Sequence, residues 1–563
     1  MIGAAAPSLA GKSFDTLIVG SGPAGLTLAL ELARLGLPSL VLESGDAAAG
    51  PVQDLSQADI LDPKLHDDMA IAVARRFGGT SNLWGGRCIP LDPVDFEPRA
   101  FSGGVRWPIP HRELAKHYPA ACRYTRSGEA LFVHPAEGLA DADGAFETHS
   151  IERSSNVPAF QRGHAEALKA SPLIDVRLGC TIIDFDLAES GALRGIVVAG
   201  RDGARATVTA KTFVLAAGGL ESTRLLLNLQ RRHPDLFGGS AGALGRHYMG
   251  HIVGEIADVV FNGPAADAAF DFWRDGHGSF VRRRMTPGAA TMRADNLPNI
   301  AFWPVVPPIA DARHRSGPLS AVALALANPA LSGWLVPAAI RKRHLTGALD
   351  WRAHLRNLLR EAPQTAGFLA AFAKRRYLSR ERVSGYFVRN PARRYGLSYS
   401  AEQAPFRDSR VYLTEATDRL GLPRLAIDVR FDPDAAPAIG RAHLALERWL
   451  TATGIGRIEH RQDRARAAGA IMAKLGHGTH QIGTARMGFS RSDAVVDADL
   501  RTFDVPNLFV LGSATFPTSG QANPTLSIVA FAVRLAERLA LEAARPVEVA
   551  ARQAPVKRRI SAS

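Results

Sequence analysis

The chain has 563 residues, of which 46% are hydrophobic and 21% are charged, a composition typical of a globular protein that is too long for one hydrophobic core. Its 3 cysteines form no CxxC pair, which disfavours both a disulfide framework and a structural zinc site. The formal net charge is +13, but residues 341–394 alone carry 14 Lys and Arg against 3 acids. The charge therefore indicates one basic patch rather than a nucleic-acid-binding protein.

The first predicted elements are a strand at 15–19, a helix at about 24–35 and a second strand at 39–43. This order is typical of a βαβ unit on a parallel sheet. Residues 74–110 are rich in Gly, Pro and Trp and predict a long ordered loop with a functional role. Strand-like patterns then run from 174 to 216 and lead into a helix.

The second half of the chain is less regular before the initial pattern returns. Residues 251–470 show only short strands and helical stretches, whereas 507–543 again predict a strand followed by a helix. We therefore predict an α/β protein whose two ends form one domain, at 1–250 and 471–548. A second domain at 251–470, with a basic insertion near 316–394, interrupts it.

Residues 316–340 contain no charged side chain and are long enough for a membrane span. Pro318, Pro329 and Pro337 would break such a helix repeatedly, so we predict no span. The segment 351–360 carries arginines on one helical face and apolar side chains on the other, namely Arg352, Arg356 and Arg360 against Trp351, Leu355, Leu358 and Leu359.

We interpret 351–360 as a surface helix that packs on its own domain. The alternative is a basic amphipathic helix on an anionic membrane, with peripheral membrane contact through 316–360.

At the chain ends, no basic segment precedes an apolar one at the N-terminus, so we expect no signal peptide and a cytoplasmic protein. Residues 549–563 predict a disordered basic tail.

A glycine motif, Gly20-Ser-Gly22-Pro-Ala-Gly25, follows the first strand and opens the first helix. Gly20 permits a tight turn, Gly22 lets a pyrophosphate approach the backbone, and Gly25 lets helix and strand pack closely. Glu43 ends the next strand, where its carboxylate can accept hydrogen bonds from a ribose diol and would repel a 2′-phosphate. The pattern predicts dinucleotide binding and disfavours NADP, but it leaves FAD and NAD open.

Several further motifs decide between these cofactors because they occur together and in a fixed order. They are FGGTSNLWGGR at 77–87, VLAAGGLESTRLLL at 214–227, LGRHYMGH at 244–251, HQIGTARMG at 480–488 and NPT at 523–525. With the glycine motif they strongly resemble the glucose–methanol–choline (GMC) oxidoreductases. The resemblance covers roughly 14–110, 175–255 and 395–540 but does not extend to 256–394, which should hold the substrate domain.

The resemblance implies a Rossmann-type domain that binds FAD in an extended pose, with an interleaved substrate domain containing an antiparallel sheet. By resemblance the three motif glycines bind the pyrophosphate, Glu43 binds the adenosine ribose, and the backbone of Ile182 contacts the adenine. The remaining cofactor contacts implied lie on the pyrophosphate or flavin side, and they are Thr80, Ser81, Asn82, Gly85, Ser513, Ala514, Pro524 and Thr525.

The resemblance also implies a catalytic pair, His480 in the H-x-x-G-T motif and Asn523 before the last helix. Alcohol oxidation removes a hydroxyl proton, and a histidine side chain suits a base near neutral pH. Asn523 can donate a hydrogen bond to the hydroxyl or developing alkoxide. His477 is the alternative base. A metal site from His251, His477 and His480 is a further alternative, disfavoured because no acidic or cysteine ligand accompanies them.

Within the family, the His–Asn pair and the loop before the last helix look most like the sugar-oxidising branch, which includes pyranose oxidases and glycoside 3-dehydrogenases. Pyranose oxidases attach flavin to a histidine two positions before a tryptophan, whereas Ser81, Asn82 and Leu83 precede Trp84 here. We therefore expect noncovalent FAD and oxidation of a sugar or glycoside alcohol. The alternatives are a non-sugar alcohol, a flavin-dependent lyase, and a non-catalytic FAD protein. The sequence indicates neither the electron acceptor nor the oligomeric state.

Overall fold

The structure, a computed structural model, describes residues 2–4, 9, 11–135, 139, 144–328, 330–332, 345, 349–390, 392–473 and 478–544. The alternative base His477, the helix breakers Pro329 and Pro337, and the predicted tail at 549–563 lie outside the described residues.

The strands, in chain order, are β1 Ile2–Ala4, β2 Ser13–Val19, β3 Ser39–Glu43, β4 Ala58–Ile60, β5 Arg87–Cys88, β6 Phe146–Glu147, β7 Ile151–Ser154, β8 Ile174–Leu178, β9 Thr181–Leu187, β10 Leu193–Ala199, β11 Arg205–Leu215, β12 His251–Phe261, β13 Phe272–Arg274, β14 Phe280–Arg283, β15 Thr286–Pro287, β16 Ile300–Val305, β17 Arg394–Glu402, β18 Arg410–Thr417, β19 Pro423–Asp428, β20 Gly456–His460 and β21 Leu508–Val510.

The α-helices are α1 Pro23–Arg34, α2 Met69–Ala72, α3 His111–Ala115, α4 Tyr118–Thr125, α5 Phe160–Gly163, α6 Ala165–Ala170, α7 Gly219–Arg232, α8 Pro264–Ala269, α9 Ala289–Ala294, α10 Gly317–Ala327, α11 Trp351–Arg360, α12 Ala362–Ala373, α13 Ala435–Ala452, α14 Arg464–Met472 and α15 Thr525–Ala544. Short 3₁₀ turns interrupt the loops between them.

The main sheet has the strand order β1-β8-β3-β2-β11-β10-β9, and β21 also pairs with β11. Strands β8, β3, β2, β11 and β21 run parallel, while β10 and β9 are antiparallel additions at one side. All five residues of β3 are buried, as expected for a strand covered on both faces. The predicted βαβ unit at the N-terminus is confirmed, with boundaries shifted by one or two residues.

The C-terminal segment completes this sheet. Phe213 of β11 pairs with Leu508 of β21, in parallel. The long apolar helix α15 packs against α1 and α4, and its buried side chains join the same hydrophobic core as those of β2 and β3. The return to strand and helix after residue 507, predicted from the sequence, is therefore confirmed.

A second, antiparallel sheet has the order β16-β17-β12-β20. The expected irregularity of 251–470 is wrong in this respect, since β12 has 11 residues and α13 has 18. These strands lack the regular alternation of apolar and polar residues that would predict them from the sequence, because one face packs on the core and the other lines a cavity. On β12, for example, Ile252 enters the hydrophobic core, whereas Val253 and Glu255 face the cavity.

The described part of the basic insertion includes the helices α10, α11 and α12, of which α10 packs on the other two. Ser316 caps α10 and accepts a hydrogen bond from the Leu319 backbone, while Pro318 lies in the first turn, where its missing N–H does no harm. Among the described residues, no helix is both long and apolar enough to cross a membrane.

Helix α11 packs on its own domain, as predicted, but not through its apolar side chains. His354 and Asn357 are the buried residues. The His354 ring lies 3.0 Å from Ser320 Oγ, and Asn357 Nδ2 donates to the Ala312 carbonyl at 2.9 Å. Trp351, Leu355 and Leu359 instead point outward, at 52%, 52% and 82% exposure. We call these three the outer face of α11.

Candidate active site

A cavity of about 1390 Å³ lies between the carboxyl ends of the parallel strands and the second sheet. The glycine motif lies at its main-sheet side, and β12, β16 and β17 contribute residues to its opposite wall. Helices α10 and α12 also line it. The crevice at the carboxyl ends of such strands is where α/β proteins bind cofactors.

The glycine motif has the geometry that close approach to a pyrophosphate requires. Gly20 adopts a φ of +102°, and a Cβ there would lie 2.5 Å from the Ala216 carbonyl oxygen. A Cβ on Gly25 would lie 2.0 Å from the Gly20 carbonyl oxygen. Gly22 precedes α1, whose N-terminus has no capping side chain among the described residues. Its first backbone N–H groups therefore remain available for phosphate oxygens.

Glu43 lies at the end of β3, on the cavity wall. Its Oε2 accepts hydrogen bonds from the Ser21 backbone at 3.1 Å and from Ser21 Oγ at 2.6 Å, and its Oε1 accepts one from Gly45 at 2.8 Å. These bonds fix the carboxylate beside the glycine motif, and Oε1, which accepts one bond, retains lone-pair capacity for a ribose hydroxyl. The residues present thus fit an adenine dinucleotide.

The loop 77–87 begins with Gly78 and Gly79, which have φ values of +87° and +53°. A Cβ on Gly79 would lie 3.0 Å from Gly22 Cα, so the loop backbone packs closely on the glycine motif. Asn82 does not line the cavity, because its Nδ2 donates to the Phe77 and Gly79 carbonyls at 3.0 and 2.8 Å. The Asn82 side chain therefore stabilises the conformation of the loop and does not offer its amide to a ligand in the cavity.

Most of the other sequence-predicted cofactor residues do line the cavity, namely Gly20, Gly22, Glu43, Thr80, Ser81, Gly85, Ile182, Ser513, Pro524 and Thr525. Gly25 and Ala514 lie behind its wall; Gly25 packs α1 on the sheet and Ala514 is buried. Asn523, Pro524 and Thr525 lead into α15, whose N-terminal end therefore faces the cavity, where it favours negative charge.

His480 and Asn523 come together at the wall of this cavity. Asn523 Nδ2 lies 3.2 Å from His480 Nε2, and His480 Nδ1 lies 2.7 Å from His251 Nδ1. The two imidazoles meet at an interplanar angle of 88° with centroids 4.7 Å apart. The sequence indicates His251 only as a candidate metal ligand, whereas in the structure it is the hydrogen-bond partner of His480.

These contacts fit one tautomer best. If the Asn523 amide donates to His480 Nε2, that nitrogen carries a lone pair and the His480 proton resides on Nδ1. His480 Nδ1–H then donates to His251 Nδ1, and His251 carries its own proton on Nε2. This arrangement leaves a basic nitrogen of His480 beside an amide donor, which is the chemistry that deprotonation of a hydroxyl requires.

A loop between β4 and α2 supports the His480 segment and was not identified from the sequence. His66 Nε2 lies 2.8 Å from the Tyr248 hydroxyl, and a Cβ on Gly478 would lie 2.4 Å from the His66 ring. Burial lowers the pKa of His66 below its ordinary value. His66 therefore packs as a neutral ring against the turn that leads to His480.

A metal site receives no support from the described residues, in which no group of three or more His, Cys, Asp or Glu side chains is arranged to hold a metal ion. His251 and His480 instead face each other through their Nδ1 atoms. The third proposed ligand, His477, lies outside the described residues.

Comparison with known proteins agrees with this geometry. Residues 405–532 match a family model described as GMC oxidoreductase, and residues 13–65 match one described as FAD binding domain. A solved fungal aryl-alcohol oxidase superposes with a TM-score of 0.53 at 16% identity, over 94% of this chain and 99% of that chain. A solved pyridoxine 4-oxidase from Mesorbium loti gives a TM-score of 0.50 at 18% identity, over 93% and 99%.

Curated relatives extend the similarity over almost the whole chain. Paromamine 6'-oxidase from Streptomyces fradiae is 26% identical over 94% of this chain and 92% of that protein. A 2-methyl-1,2-propanediol dehydrogenase from Mycolicibacterium austroafricanum is 24% identical over 92% and 94%. A C-glycoside 3-oxidase from Arthrobacter globiformis is 31% identical over 24% of this chain and 25% of that protein.

A Rossmann-type dinucleotide site facing a histidine–asparagine pair across one cavity defines an FAD-dependent oxidoreductase that acts on alcohol groups. Residues 405–532 carry the C-terminal domain of the GMC oxidoreductases, the family that the order of motifs indicates.

Proposed function

We propose that this enzyme oxidises a CH–OH group of a sugar or glycoside to a carbonyl, with noncovalently bound FAD. The contact between His480 Nε2 and the Asn523 amide at the cavity wall carries the proposal. The names of two relatives, a paromamine 6'-oxidase and a C-glycoside 3-oxidase, support a sugar-like substrate. The relative named as a propanediol dehydrogenase keeps a non-sugar alcohol as the alternative.

In the proposed mechanism, His480 Nε2 accepts the proton of the substrate hydroxyl. Asn523 Nδ2, which lies 3.2 Å from this nitrogen in the structure, donates to the substrate oxygen as negative charge develops there. FAD, when bound, would supply the acceptor for the two electrons and the hydrogen of the C–H bond. His480 and Asn523 thus share the substrate oxygen between a base and a hydrogen-bond donor.

His251 acts as a positioning residue in this proposal. Its Nδ1 accepts the Nδ1–H of His480 at 2.7 Å, which holds the tautomer with a free Nε2. The same hydrogen bond stabilises the imidazolium formed when Nε2 takes the substrate proton. His251 is only 1% exposed and lies at the start of β12, so the second sheet fixes the orientation of the base.

We further propose that the FAD-binding domain comprises 1–250 and 471–548 and that 251–470 forms the substrate domain. The pairing of β21 with β11 supports the first assignment. Strand β7, however, pairs with β14, so part of the first segment contributes to the substrate side. All 3 cysteines are buried, and this low content supports a cytoplasmic location.

The function is tested by mixing the purified holoenzyme anaerobically with a panel of sugars, glycosides and simple alcohols. Bleaching of the flavin absorbance by a sugar or glycoside is the expected result. Bleaching by simple alcohols alone would favour the alternative substrate class. Conversion of a substrate while the flavin stays oxidised would identify a lyase. A protein that bleaches with no member of the panel and converts none would contradict alcohol oxidation.

We expect acid precipitation to release all the flavin into the supernatant. The physical reason is the composition of the loop beside the cofactor cavity, where Ser81, Asn82 and Leu83 precede Trp84 and offer no imidazole to bond the flavin ring. The measurement compares flavin absorbance in the supernatant and in the washed pellet. Flavin that remains with the precipitated polypeptide after denaturation would show a covalent bond.

We propose, as a second and separate property, peripheral contact with an anionic membrane through 316–360. The outer face of α11 supports it, because it exposes three large apolar side chains. Arg352, Arg356 and Arg360 are exposed on the same helix. An exposed apolar stripe beside several cations is the surface that binds the interface of an anionic bilayer.

Binding to anionic vesicles should therefore exceed binding to neutral vesicles and should weaken as salt is added. Each cation near such a surface contributes about 1 kcal/mol, so reversing Arg352, Arg356 and Arg360 to glutamate should abolish sedimentation with phosphatidylserine vesicles. Reversing the remote surface residue Arg194, which is 64% exposed in its side chain, is the matched control. Equal partitioning to neutral and anionic vesicles, or to neither, would contradict the proposal.

A further inference from the structure

Three arginines surround one tryptophan in the wall of the cavity. The guanidinium carbons of Arg87, Arg282 and Arg284 lie 5.8, 5.2 and 5.7 Å from the centroid of the Trp303 ring. We call these three residues the arginine cluster. Arg282 and Arg284 are 3% and 1% exposed. Arg87, Arg282 and Trp303 line the same cavity as His480 and Asn523, so two of the three arginines belong to the wall of the proposed active site.

The carboxylates near the cluster do not balance its charge. Glu152 Oε1 lies 2.8 Å from Arg282 Nη2 and 3.6 Å from Arg87 Nε. Arg284 Nη2 donates to the neutral Oε1 of Gln521, whose Nε2 donates to Asp92 at 2.8 Å. Even with both acids counted, three cations stand against two anions. Arg282 and Arg284 are buried and the Arg87 side chain is 33% exposed, and a surplus of cations in such a partly desolvated wall is unfavourable unless an anion joins it.

The pKa values of the two buried arginines are shifted in the direction that a surplus of positive charge predicts. Burial lowers the pKa of Arg282 to about 9, although the Glu152 carboxylate acts to raise it. Burial also lowers the pKa of Arg284. Both directions mean that the folded protein holds these cations in surroundings that oppose their charge, and an added anion would relieve that opposition.

Several N–H groups of the cluster also lack acceptors. Arg282 Nε, and Arg284 Nε and Nη1, make no hydrogen bond to any residue within the described ranges. Buried donors are almost always paired in folded proteins, and a guanidinium matches the geometry of carboxylate and phosphate oxygens. The donors at Arg282 belong to a residue on the cavity wall.

The cluster lies close to the catalytic pair. Arg284 bonds to Gln521, and the two residues from Gln521 to Asn523 span at most about 7 Å of chain. Ser400 Oγ, on the second sheet, donates to the Gln521 carbonyl at 3.3 Å, which fixes this loop against β17. A group held by the arginine cluster would therefore belong to the same small molecule whose hydroxyl meets His480.

We propose that the arginine cluster binds an anionic group, a carboxylate or a phosphate, on the sugar substrate. This inference rests on the proposed function, since it names the substrate class of the same site. It predicts that sugar acids or sugar phosphates are better substrates than their neutral parents. Cationic amino sugars should bind poorly, because the arginines would repel an ammonium group.

The test compares D-glucuronate and D-glucose 6-phosphate with D-glucose on the anaerobic holoenzyme. Flavin reduction and the perturbation of the flavin spectrum at equilibrium are recorded for each sugar. Charge-assisted hydrogen bonds should favour an anionic sugar over the neutral one by about ten- to a hundredfold in binding. The preferred anion distinguishes a carboxylate site from a phosphate site. D-glucose binding as tightly as both anionic sugars would overturn the proposal.

Arg282→Met should weaken binding of the anionic sugars far more than binding of D-glucose, and the variant should retain its FAD. Arg194→Met, on the surface in a pair with Asp186, is the matched control and should keep the preference. If Arg282→Met fails to fold, Arg87→Met tests the same cluster, because the Arg87 side chain is 33% exposed. If the folded variants still prefer anionic sugars over D-glucose as the wild type does, the proposal is wrong. If they lose FAD, the proposal is also wrong, because the arginines would then bind the cofactor.

The two proposals can fail separately. If no sugar reduces the flavin but the anionic sugars perturb its spectrum more tightly than D-glucose, the anion site stands and sugar oxidation is wrong. If neutral sugars reduce the flavin at least as well as their acids, sugar oxidation stands and the anion site is wrong.

Discussion

His480→Ala is expected to slow anaerobic flavin reduction by about 10²–10⁴-fold, the contribution of a positioned general base. An alkoxide gives up its C–H hydrogen far more readily than a neutral alcohol, so loss of the base raises the barrier to C–H cleavage. FAD content should stay near that of the wild type, because the glycine motif and Glu43 lie elsewhere on the cavity wall. Stopped-flow absorbance of the flavin measures the rate directly.

Two comparisons make this prediction specific. His477→Ala should have a much milder effect, since His480 keeps the H-x-x-G-T spacing and contacts both Asn523 and His251. The reduction rate of the wild type should rise with pH through one ionisation, because the base works only with Nε2 unprotonated, and His480→Ala should lack that rise. A His480→Ala enzyme that reduces its flavin as fast as the wild type would show that the base lies elsewhere.

Replacement of Asn523 by alanine should cost about 10²–10³-fold in the same rate, if its amide stabilises alkoxide charge as an oxyanion-hole donor does. Asn523→His offers a matched variant, because an imidazole N–H can replace the amide donor. We expect Asn523→His to retain much more activity than Asn523→Ala. Equal loss in both variants, or none in either, would mean that hydrogen-bond donation at this position does not stabilise the transition state.

His251→Phe separates positioning from base catalysis. Phenylalanine keeps an aromatic ring at this position but removes the acceptor for His480 Nδ1–H. A positioning role predicts a smaller loss of rate than in His480→Ala, together with a shifted pH profile. A purely structural role would lower protein yield or FAD content and leave the pH profile of the remaining enzyme unchanged.

The residues on the FAD side of the molecule could be predicted closely, because their structural requirements are set by neighbours that are close in the sequence. A glycine is required at Gly20 by a positive φ and at Gly25 by close packing, and both requirements are visible in a short motif. The strand that ends in Glu43 is buried along its whole length, so its sequence is a short run of mostly apolar residues that predicts a buried strand. Asn82 was assigned to the cofactor by resemblance, although its amide serves its own loop.

The substrate side could not be predicted in the same way because its contacts are long-range. Arg87 and Arg282 are nearly two hundred positions apart, yet both lie over Trp303, and no spacing in the sequence links them. His251 meets His480 for the same reason. A surface helix usually buries its apolar side chains, but α11 buries the polar His354 and Asn357 instead. These two side chains form hydrogen bonds with Ser320 and Ala312, so the apolar side chains of the outer face stay exposed.

The pairing of β21 with β11 also has a consequence for biosynthesis. Residues 213–215 of β11 pair with 508–510, and α1 packs against α15, which lies roughly 500 residues later in the chain. At about 5–20 residues per second of synthesis, the N-terminal strands wait on the order of half a minute or more for their last partner. During that time one edge of the sheet is open, and the cofactor cavity lacks the wall that α15 supplies.

The cofactor cavity is therefore complete only after the C-terminal segment has been synthesised. A nascent chain of this topology needs its open edge shielded until the C-terminus emerges. The yield of holoenzyme in cells should consequently follow the rate of translation and the supply of chaperones as much as the supply of flavin.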